Sequence, residues 1–356
     1  FAEGPELRLV DMDGNLLHRW PADFYGIWPD PSHVFPPTDL PATRFNYHVQ
    51  GMSLLPDASV VFNFSELGMV KLDKCGTVEW TLDRMTHHSI TPNPDGSFWI
   101  PARNDPRDVP DDLLLFGITR DNLEVSGRTY EDLLLLVDAN GQVRKEISVL
   151  RALVEGGFEQ QLFDAGKIAK FDPTHVNDIE VVTRALAGRI DGVDAGDLLI
   201  SIRELHMLAI LDSDSGRIKW HHTGPWVRQH DPDISEQGTV EVFNNRTEYY
   251  QLGRHADRVP GGNLISLDPA SGQATIIYPL ADEGSFYTAI QGTHQRLGNG
   301  NRLINESKAG RVFELDGQGE IVWEYVKPYD DEYAAMIEDV IRYENDYLVE
   351  QDWSCP

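Results

Sequence analysis

The stretch Val10-Asp-Met-Asp-Gly-Asn-Leu-Leu-His-Arg-Trp20 has the pattern of a β-hairpin, and Phe313-Glu-Leu-Asp-Gly-Gln-Gly-Glu-Ile-Val-Trp323 repeats it near the other end of the chain. Asp hydrogen-bonds its own backbone in a turn and Gly accepts positive φ, so the two residues at this spacing predict the turn. Six such turns occur: Asp11–Gly14, Asp73–Gly76, Asp138–Gly141, Asp212–Gly216, Asp268–Gly272 and Asp316–Gly319. Each one predicts the outer hairpin of a repeating sheet.

A second repeated hairpin completes each sheet. Its first strand is predicted to begin near Gln50, His88, His175, His230, Gly292 and Ile337. Two hairpins make a four-stranded antiparallel sheet, and six such sheets make an all-β, six-bladed β-propeller. The inner hairpin at about 337–352 has no outer hairpin after it, and the N-terminal hairpin at 5–20 has no inner one before it. We therefore expect these segments to form blade six together and to close the ring without a free sheet edge.

Residues 1–356 are predicted to form this one propeller domain. The chain is longer than six blades of about 40–45 residues require, so insertions are expected. They are predicted near 21–46, 102–130, 148–173, 183–195 and 245–262. Apolar residues at a helical period over 148–165 predict a short amphipathic helix in the third insertion.

Charge limits the partners of the protein. With 30 Lys and Arg against 58 Asp and Glu, the formal net charge is −28. A field of this sign repels nucleic acid and anionic membrane surfaces, so neither is an expected partner. No run of 18 apolar residues is present, which argues against a membrane span. An anionic substrate would have to be captured by a local cluster of positive groups.

The cysteines and the start of the chain bear on location. The chain has two cysteines, Cys75 and Cys355, which are too few for a disulfide-dense scaffold or a cysteine zinc site. One bridge between them fits an exported protein, whereas two unrelated thiols remain the alternative. The chain begins at Phe1 without a charged start and apolar stretch, so either a leader has been removed from it or it has been trimmed. A periplasmic or extracellular location, with the leader absent from this chain, is the expectation that fits the bridge.

The candidate site lies on the inner strands, which point alternate side chains at the central channel of a propeller. His88 lies eight residues before the turn glycine Gly96, and His230 lies eight before Gly238. His175 opens the equivalent strand of the blade between them. Three consecutive blades are therefore predicted to place an imidazole at one level of the channel.

Two further residues join these histidines. Asn177 shares the face of His175, and Arg203 ends the adjacent strand. An amide and a guanidinium in register with three imidazoles favour a convergent cationic site. His87, which adjoins His88, is expected to face the opposite way and to be structural.

Aromatic and further imidazole side chains are candidate substrate ligands. His294 has the channel-facing parity of blade five and is predicted either to bind substrate or to be a rim histidine bonded to water. Trp226, Tyr249 and Tyr250 are candidates for stacking on an aromatic ring near the channel mouth, although core packing would explain such residues equally well.

Five runs of the sequence resemble the arylsulfotransferase family, whose members transfer sulfuryl groups without the nucleotide donor PAPS. These runs are HHSITPNPDGSFWI (87–100), THVNDIEVV (174–182), GDLLISIR (196–203), QHDPDISEQGTVEVFNN (229–245) and QRLGNGNRLINESKAGRVFEL (295–315). The resemblance extends from about residue 48 to 325. It implies a six-bladed propeller with its active site in the channel, an exported enzyme and, for some members, a dimer.

The resemblance also assigns roles to residues. His230 matches the histidine that is transiently sulfated, and His88 matches an active-site histidine. His175 with Asn177 matches a His-x-Asn pair, and Arg203 matches the arginine of the site. The expected reaction moves a sulfuryl group from a phenolic sulfate ester to a phenol through sulfo-His230, without a cofactor and without a metal. The expected partners are thus a small aromatic sulfate and a phenol, with a homodimer or a protein complex left open.

Two alternatives remain. Asp231-Pro-Asp-Ile-Ser-Glu-Gln-Gly238 replaces the family's His-Asp-x-x-x-Leu-Pro-Asn-Gly continuation, and Phe243-Asn-Asn-Arg246 replaces its Phe-Asp-Asn-Gly. These departures are compatible with a catalytically silent propeller that serves as a binding or structural subunit. A metal-dependent lactonase or esterase would need a ring of carboxylates and amides for a hard cation, whereas the predicted register places histidines there.

Overall fold

The computed structural model describes residues 4–126, 130–246, 261–280, 286–349 and 352–355. Their strands form five four-stranded antiparallel sheets and one two-stranded hairpin of β1 (Glu6–Val10) and β2 (Leu16–Pro21). The strands of each sheet lie side by side in chain order, which is the meander of a propeller blade. The chain is an all-β propeller.

The strand bounds follow the predicted repeats. The first two sheets contain β3 (Val49–Leu54), β4 (Val60–Phe64), β5 (Gly68–Leu72) and β6 (Val78–Leu82), then β7 (Thr91–Pro92), β8 (Phe98–Arg103), β9 (Asp132–Val137) and β10 (Val143–Ser148). The third and fourth contain β11 (Val176–Val181), β12 (Leu198–Ile202), β13 (Met207–Leu211) and β14 (Ile218–Thr223), then β15 (His230–Ile234), β16 (Val240–Asn244), β17 (Asn263–Asp268) and β18 (Gln273–Tyr278). The fifth contains β19 (Thr293–Arg296), β20 (Arg302–Glu306), β21 (Arg311–Leu315) and β22 (Ile321–Val326).

The chain divides into two compact units. The first comprises Phe1–Arg151, Gly166–Pro173 and Tyr343–Pro356 and contains the β1–β2 hairpin with the first two sheets. The second comprises Ala152–Ala165 and Thr174–Arg342 and contains the third, fourth and fifth sheets.

The described residues form five complete blades, and the prediction of six was wrong. Residues 337–352 were expected to form inner strands beside β1 and β2, but no strand forms in the part of this segment that the structure describes, 337–349 and 352. Side chains satisfy this backbone instead: the amide of Asn305 donates to the carbonyls of Ile337 and Glu338, and Gln295 bonds both the N–H and the carbonyl of Arg342. Because these backbone N–H and C=O groups already have hydrogen-bond partners, they do not need a neighbouring strand.

The six predicted Asp–Gly turns are all present. In each, the glycine N–H donates to the carbonyl of the turn aspartate. Within the first unit, the tryptophan that ends an outer strand contacts the turn of the next sheet: Trp20 Nε1 lies 3.2 Å from the carbonyl of Asp73, and Trp80 Nε1 lies 3.0 Å from that of Ala139. The repeated tryptophan therefore joins neighbouring blades.

The core of each unit lies between consecutive sheets. In the first unit, Val61 and Met69 of one sheet pack against Phe98 and Ile100 of the next. In the second unit, one cluster joins the third and fourth sheets and another, around Phe243, joins the fourth and fifth. Apolar burial of this kind is the main favourable term that holds neighbouring blades together.

Helices are short and lie between strands. They are α1 (Phe24–Ile27), α2 (Arg120–Ser126), α3 (Val149–Glu155), α4 (Glu159–Gly166) and α5 (Arg184–Ala187). The single helix predicted over 148–165 is two helices, α3 and α4. They are separated at Gly157, which has φ +82°, and Phe158 N donates to the carbonyl of Leu153 there. A positive-φ glycine ends a helix in this way.

Cys75 and Cys355 form a disulfide with a Cα–Cα distance of 5.6 Å. Of the two alternatives left by the sequence, the bridge is the one that the structure contains. It ties the C-terminal segment of the first unit to the turn between β5 and β6.

Candidate active site

His230 opens β15 at an irregularity in the sheet. It pairs with Phe243 of β16, and the register shifts at the next residue, Asp231, whose φ is +51°. A non-glycine residue with positive φ is uncommon. Bulges of this kind re-aim side chains next to functional sites.

The His230 ring is buried and held by Asn245. Nδ1 of His230 lies 2.7 Å from Oδ1 of Asn245. The Asn245 amide nitrogen donates to the carbonyls of Thr288 and Gln291 at 3.0 and 2.7 Å, so Oδ1 must be the atom that faces the ring. A neutral imidazole that donates its Nδ1–H to this oxygen keeps its lone pair on Nε2.

The surroundings keep this imidazole neutral. Burial, the Arg203 guanidinium and the His175 ring lower the pKa of His230 to about 3, although hydrogen bonds to Asn245 and to the backbone of Arg228 oppose the shift. Arg203 and His175 therefore lie near enough to His230 to affect its protonation. An uncharged imidazole at neutral pH is a competent nucleophile.

A partly buried group of three charges provides the positive potential. Nε and one terminal nitrogen of Arg203 lie 3.0 and 2.7 Å from Oε1 of Glu204, and Arg228 lies 2.7 Å from Oε2 of the same carboxylate. Two guanidinium groups thus share one carboxylate, which leaves a net charge of +1. The backbone N–H of Arg203 also donates to the carbonyl of His175 at 3.1 Å, which joins β12 to the start of β11.

Asn177 positions the backbone before His230. Its amide nitrogen donates to the carbonyl of Gln229 at 2.7 Å, and Gln229 in turn is fully buried and bonds Ser201, Ile202 and Met207. The Asn177 Oδ1 atom is buried and has no hydrogen-bond partner among the described residues. The structure thus places Asn177 beside the peptide that carries His230.

His88 lies in the first unit, whereas the residues above lie in the second. Its Nδ1 lies 2.9 Å from Nδ1 of His87, and Nε2 of His87 lies 3.2 Å from the buried carboxylate of Asp132. The expectation that His87 faces away from His88 was therefore wrong. Strand alternation does not apply here, because the two histidines precede β7 and His88 has φ +54°.

Trp226 and His294, which were predicted as candidate substrate ligands, have surroundings that do not favour that role. Trp226 is 2% exposed, packs in the core of the second unit and donates its indole N–H to the carbonyl of His206, so it corresponds to the core-packing alternative. His294 is buried and its Nδ1 lies 2.6 Å from a carboxylate oxygen of Asp231. Carboxylates around an imidazole do not suit an anionic ligand. Tyr249 and Tyr250 lie outside the described residues.

Sequence reasoning missed three members of the site: Asn245, Arg228 and Glu204. Asn245 belongs to a motif that the sequence analysis treated as a departure, and Glu204 follows Arg203 directly, so both carried a signal. Arg228 has φ +54° and reaches Glu204 from the start of the next blade, which strand alternation does not reveal. Among groups that could hold a metal, Asp231, Asp233 and His294 place one ligand atom each within 4.8 Å of one another.

Among the described residues, no helix combines the length and apolar character needed to span a bilayer. In sequence, the family model for arylsulfotransferase (ASST) matches residues 51–328, which is most of the chain. No curated protein matches the chain.

In fold, the chain is similar to a protein of unknown function from Bacteroides caccae, with a TM-score of 0.56 and 10% identity over 93% of both chains. Virginiamycin B lyase from Staphylococcus aureus aligns with a TM-score of 0.44 and 10% identity over 80% of this chain and 72% of that one. The likeness to the Bacteroides protein shows a shared fold.

Proposed function

Because the chain belongs to the arylsulfotransferase family, we propose that it transfers a sulfuryl group from a phenolic sulfate ester to a phenolic acceptor by way of sulfo-His230. The observation that carries this proposal is the state of His230. It is a buried, neutral imidazole with Nδ1 fixed by Asn245, and it lies beside a net positive group of two arginines and one glutamate.

The first half of the reaction follows from the tautomer. The lone pair on Nε2 of His230 attacks the sulfur of the donor, an N–S bond forms, and the S–O bond to the phenol breaks. The phenolate departs with the bonding electrons. The sulfated ring now bears hydrogen on Nδ1 and sulfur on Nε2, so it carries positive charge, which the Oδ1 atom of Asn245 stabilises. In the second half the acceptor phenol attacks the same sulfur, and neutral His230 is regenerated.

Arg203 and Arg228 supply the charge that the substrate needs. An aryl sulfate is an anion, and its charge is spread over the sulfuryl oxygens throughout the transfer. Guanidinium groups held in place by Glu204 before the substrate arrives stabilise those oxygens without reorganisation. Glu204 thereby acts as a positioning residue for both arginines.

His175 is the candidate acid in the second unit. It lies near enough to His230 to lower its pKa, and imidazole titrates in the range needed to protonate a departing phenolate and then to accept the proton of the incoming phenol. The assignment of His88 as a further acid stays a prediction.

We also propose that the protein works in an oxidising compartment, periplasmic or extracellular. The Cys75–Cys355 disulfide supports this, because disulfides persist there and are rare in the cytosol. The proposed reaction uses neither PAPS nor any other nucleotide. Whether the protein forms a homodimer or a larger complex stays a prediction.

Turnover of 4-nitrophenyl sulfate with and without phenol tests the proposal. Wild-type protein is expected to release nitrophenolate continuously only when phenol is present, and His230→Ala is expected to release none. His221→Ala, which removes an exposed imidazole that contacts Phe158, is the matched control and is expected to turn over normally. Equal turnover by His230→Ala and wild type, or no turnover by wild type with any phenolic acceptor, would contradict the proposal.

A further inference from the structure

A second group of side chains lies on the same inner strands as the His230 site but has the opposite charge. Asp231 and Asp233 of β15 and His294 of β19 place ligand atoms within 4.8 Å of one another. Asp231 is the residue at the register shift of β15, and Asp233 lies two residues further along the strand. The sulfuryl-transfer proposal uses none of these three residues.

His294 is oriented by Asp231. One carboxylate oxygen of Asp231 lies 2.6 Å from Nδ1 of His294 and also accepts the backbone N–H of that residue. A carboxylate acceptor places the ring hydrogen on Nδ1, so in the neutral ring Nε2 carries the lone pair. A carboxylate that orients a histidine through its other nitrogen is the usual outer partner of a metal-bound imidazole.

The Nε2 atom of His294 points at oxygen atoms. The side chain of His294 is fully buried, and Nε2 has no hydrogen-bond partner among the described residues. Its neighbours are Oδ2 of Asp233 at 3.6 Å and Oε2 of Glu241 at 4.0 Å. A buried lone pair that faces carboxylate oxygens is stabilised by a proton or a cation between them.

Further carboxylates lie near this group. Asp178 and Glu180 of β11 are charged neighbours of Asp233.

Glu241 differs from these carboxylates. Arg302 holds its two oxygens at 2.8 and 2.7 Å, so its charge is already paired. The oxygens of Glu241 are therefore less available to a further cation than those of Asp233.

We propose that His294 Nε2 and Asp233 bind one divalent transition-metal ion of the Zn²⁺ or Mn²⁺ class, with Asp231 as the outer partner that orients His294. Ligands about 2.1 Å from a tetrahedral ion lie about 3.4 Å apart, close to the 3.6 Å that separates His294 Nε2 from Asp233 Oδ2. One imidazole with carboxylates suits these ions, whereas Ca²⁺ and Mg²⁺ prefer oxygen alone. The ion would join the fourth sheet to the fifth through β15 and β19.

Metal binding by the tag-free full-length chain tests this proposal without recourse to sulfuryl transfer. The protein is stripped with a chelator, dialysed separately against Zn²⁺ and Mn²⁺, and analysed for metal content and thermal unfolding. We expect one equivalent of Zn²⁺ or Mn²⁺ per chain and a higher unfolding midpoint. His294→Gln and Asp233→Asn are expected to weaken binding at least tenfold and to abolish the rise in midpoint.

His222→Gln is the matched control, because it removes a half-buried imidazole that packs on Trp226 outside the cluster. It is expected to bind metal like the wild type. Asp233 is partly exposed, so Asp233→Asn is the informative variant if His294→Gln does not fold. Less than stoichiometric binding of both ions by wild type, tighter binding of Ca²⁺ or Mg²⁺ than of either, or undiminished binding by Asp233→Asn would overturn the assignment.

Discussion

Replacing Asn245 by alanine removes the acceptor of the Nδ1 hydrogen of His230 and leaves the rest of the imidazole's surroundings in place. In the proposed sulfo-histidine the ring is positively charged, so this hydrogen bond is stronger after sulfation than before it. A hydrogen bond to a charged group contributes roughly 1.5–3 kcal/mol. Since about 1.4 kcal/mol is a tenfold change in rate, the first half-reaction of Asn245→Ala should be about 10- to 150-fold slower.

The assay is rapid mixing of enzyme with 4-nitrophenyl sulfate in the absence of acceptor, with the nitrophenolate burst as the measured rate. The control is Asn244→Ala. Asn244 is a buried amide that bonds the backbone of Val227 and the side chain of Asn263 rather than His230. Its loss should lower the free energy of unfolding while the burst rate stays within a few-fold of wild type. A wild-type burst in Asn245→Ala, or an equal loss of rate in both variants, would refute the reasoning.

Three further predictions concern stability. The pKa of His230 is about 3 in the folded state and about 6.5 in the unfolded chain, so between those pH values only the unfolded chain takes up this proton. The free energy of unfolding therefore falls as pH falls through that window. Measured by urea unfolding, His230→Gln should lose less stability from pH 7 to pH 4 than the wild type, and identical losses would contradict the prediction. Gly141 has φ +79°, and a Cβ added there would lie 2.8 Å from the Trp80 ring, whereas Gly117 has φ +74° and nothing lies within 4 Å of an added Cβ. Gly141→Ala should therefore lower the free energy of unfolding by roughly 1–3 kcal/mol more than Gly117→Ala. Equal effects would show that the Trp80 contact is unimportant. Reduction of Cys75–Cys355, or Cys355→Ser, should lower the free energy of unfolding by about 2–4 kcal/mol, and an unchanged denaturation midpoint under reducing conditions would contradict a bridge in solution.

The sequence predicted those parts of the fold that local chemistry determines. Asp and Gly at a fixed spacing specify a turn on their own, and all six outer hairpins are therefore present. The sixth blade could not be predicted correctly, because its inner segment is held by the side chains of Gln295 and Asn305, which come from a distant part of the chain. Turn chemistry cannot show that side chains will replace a strand.

The candidate site was predictable to the same degree. The repeat of inner strands gave His175, Arg203 and His230 corresponding positions at the strand ends of neighbouring blades. Strand alternation failed for His87, Arg228 and Asn245, since positive φ at His88 and Arg228 interrupts alternation and Asn245 lies just beyond β16. The acidic pairs on β11 and β15 recur at a spacing of two and were visible in the sequence, but only the structure shows that His294 lies among them.

The most direct test of the central claim is the mass of the tryptic peptide Gln229–Arg246, whose one histidine is His230. The enzyme is incubated with 4-nitrophenyl sulfate alone, quenched and digested without acid, and a second sample receives phenol before the quench. We expect one added sulfuryl group on this peptide in the first sample and none in the second. Release of nitrophenolate with the sulfuryl group on another peptide, or on none, would contradict it.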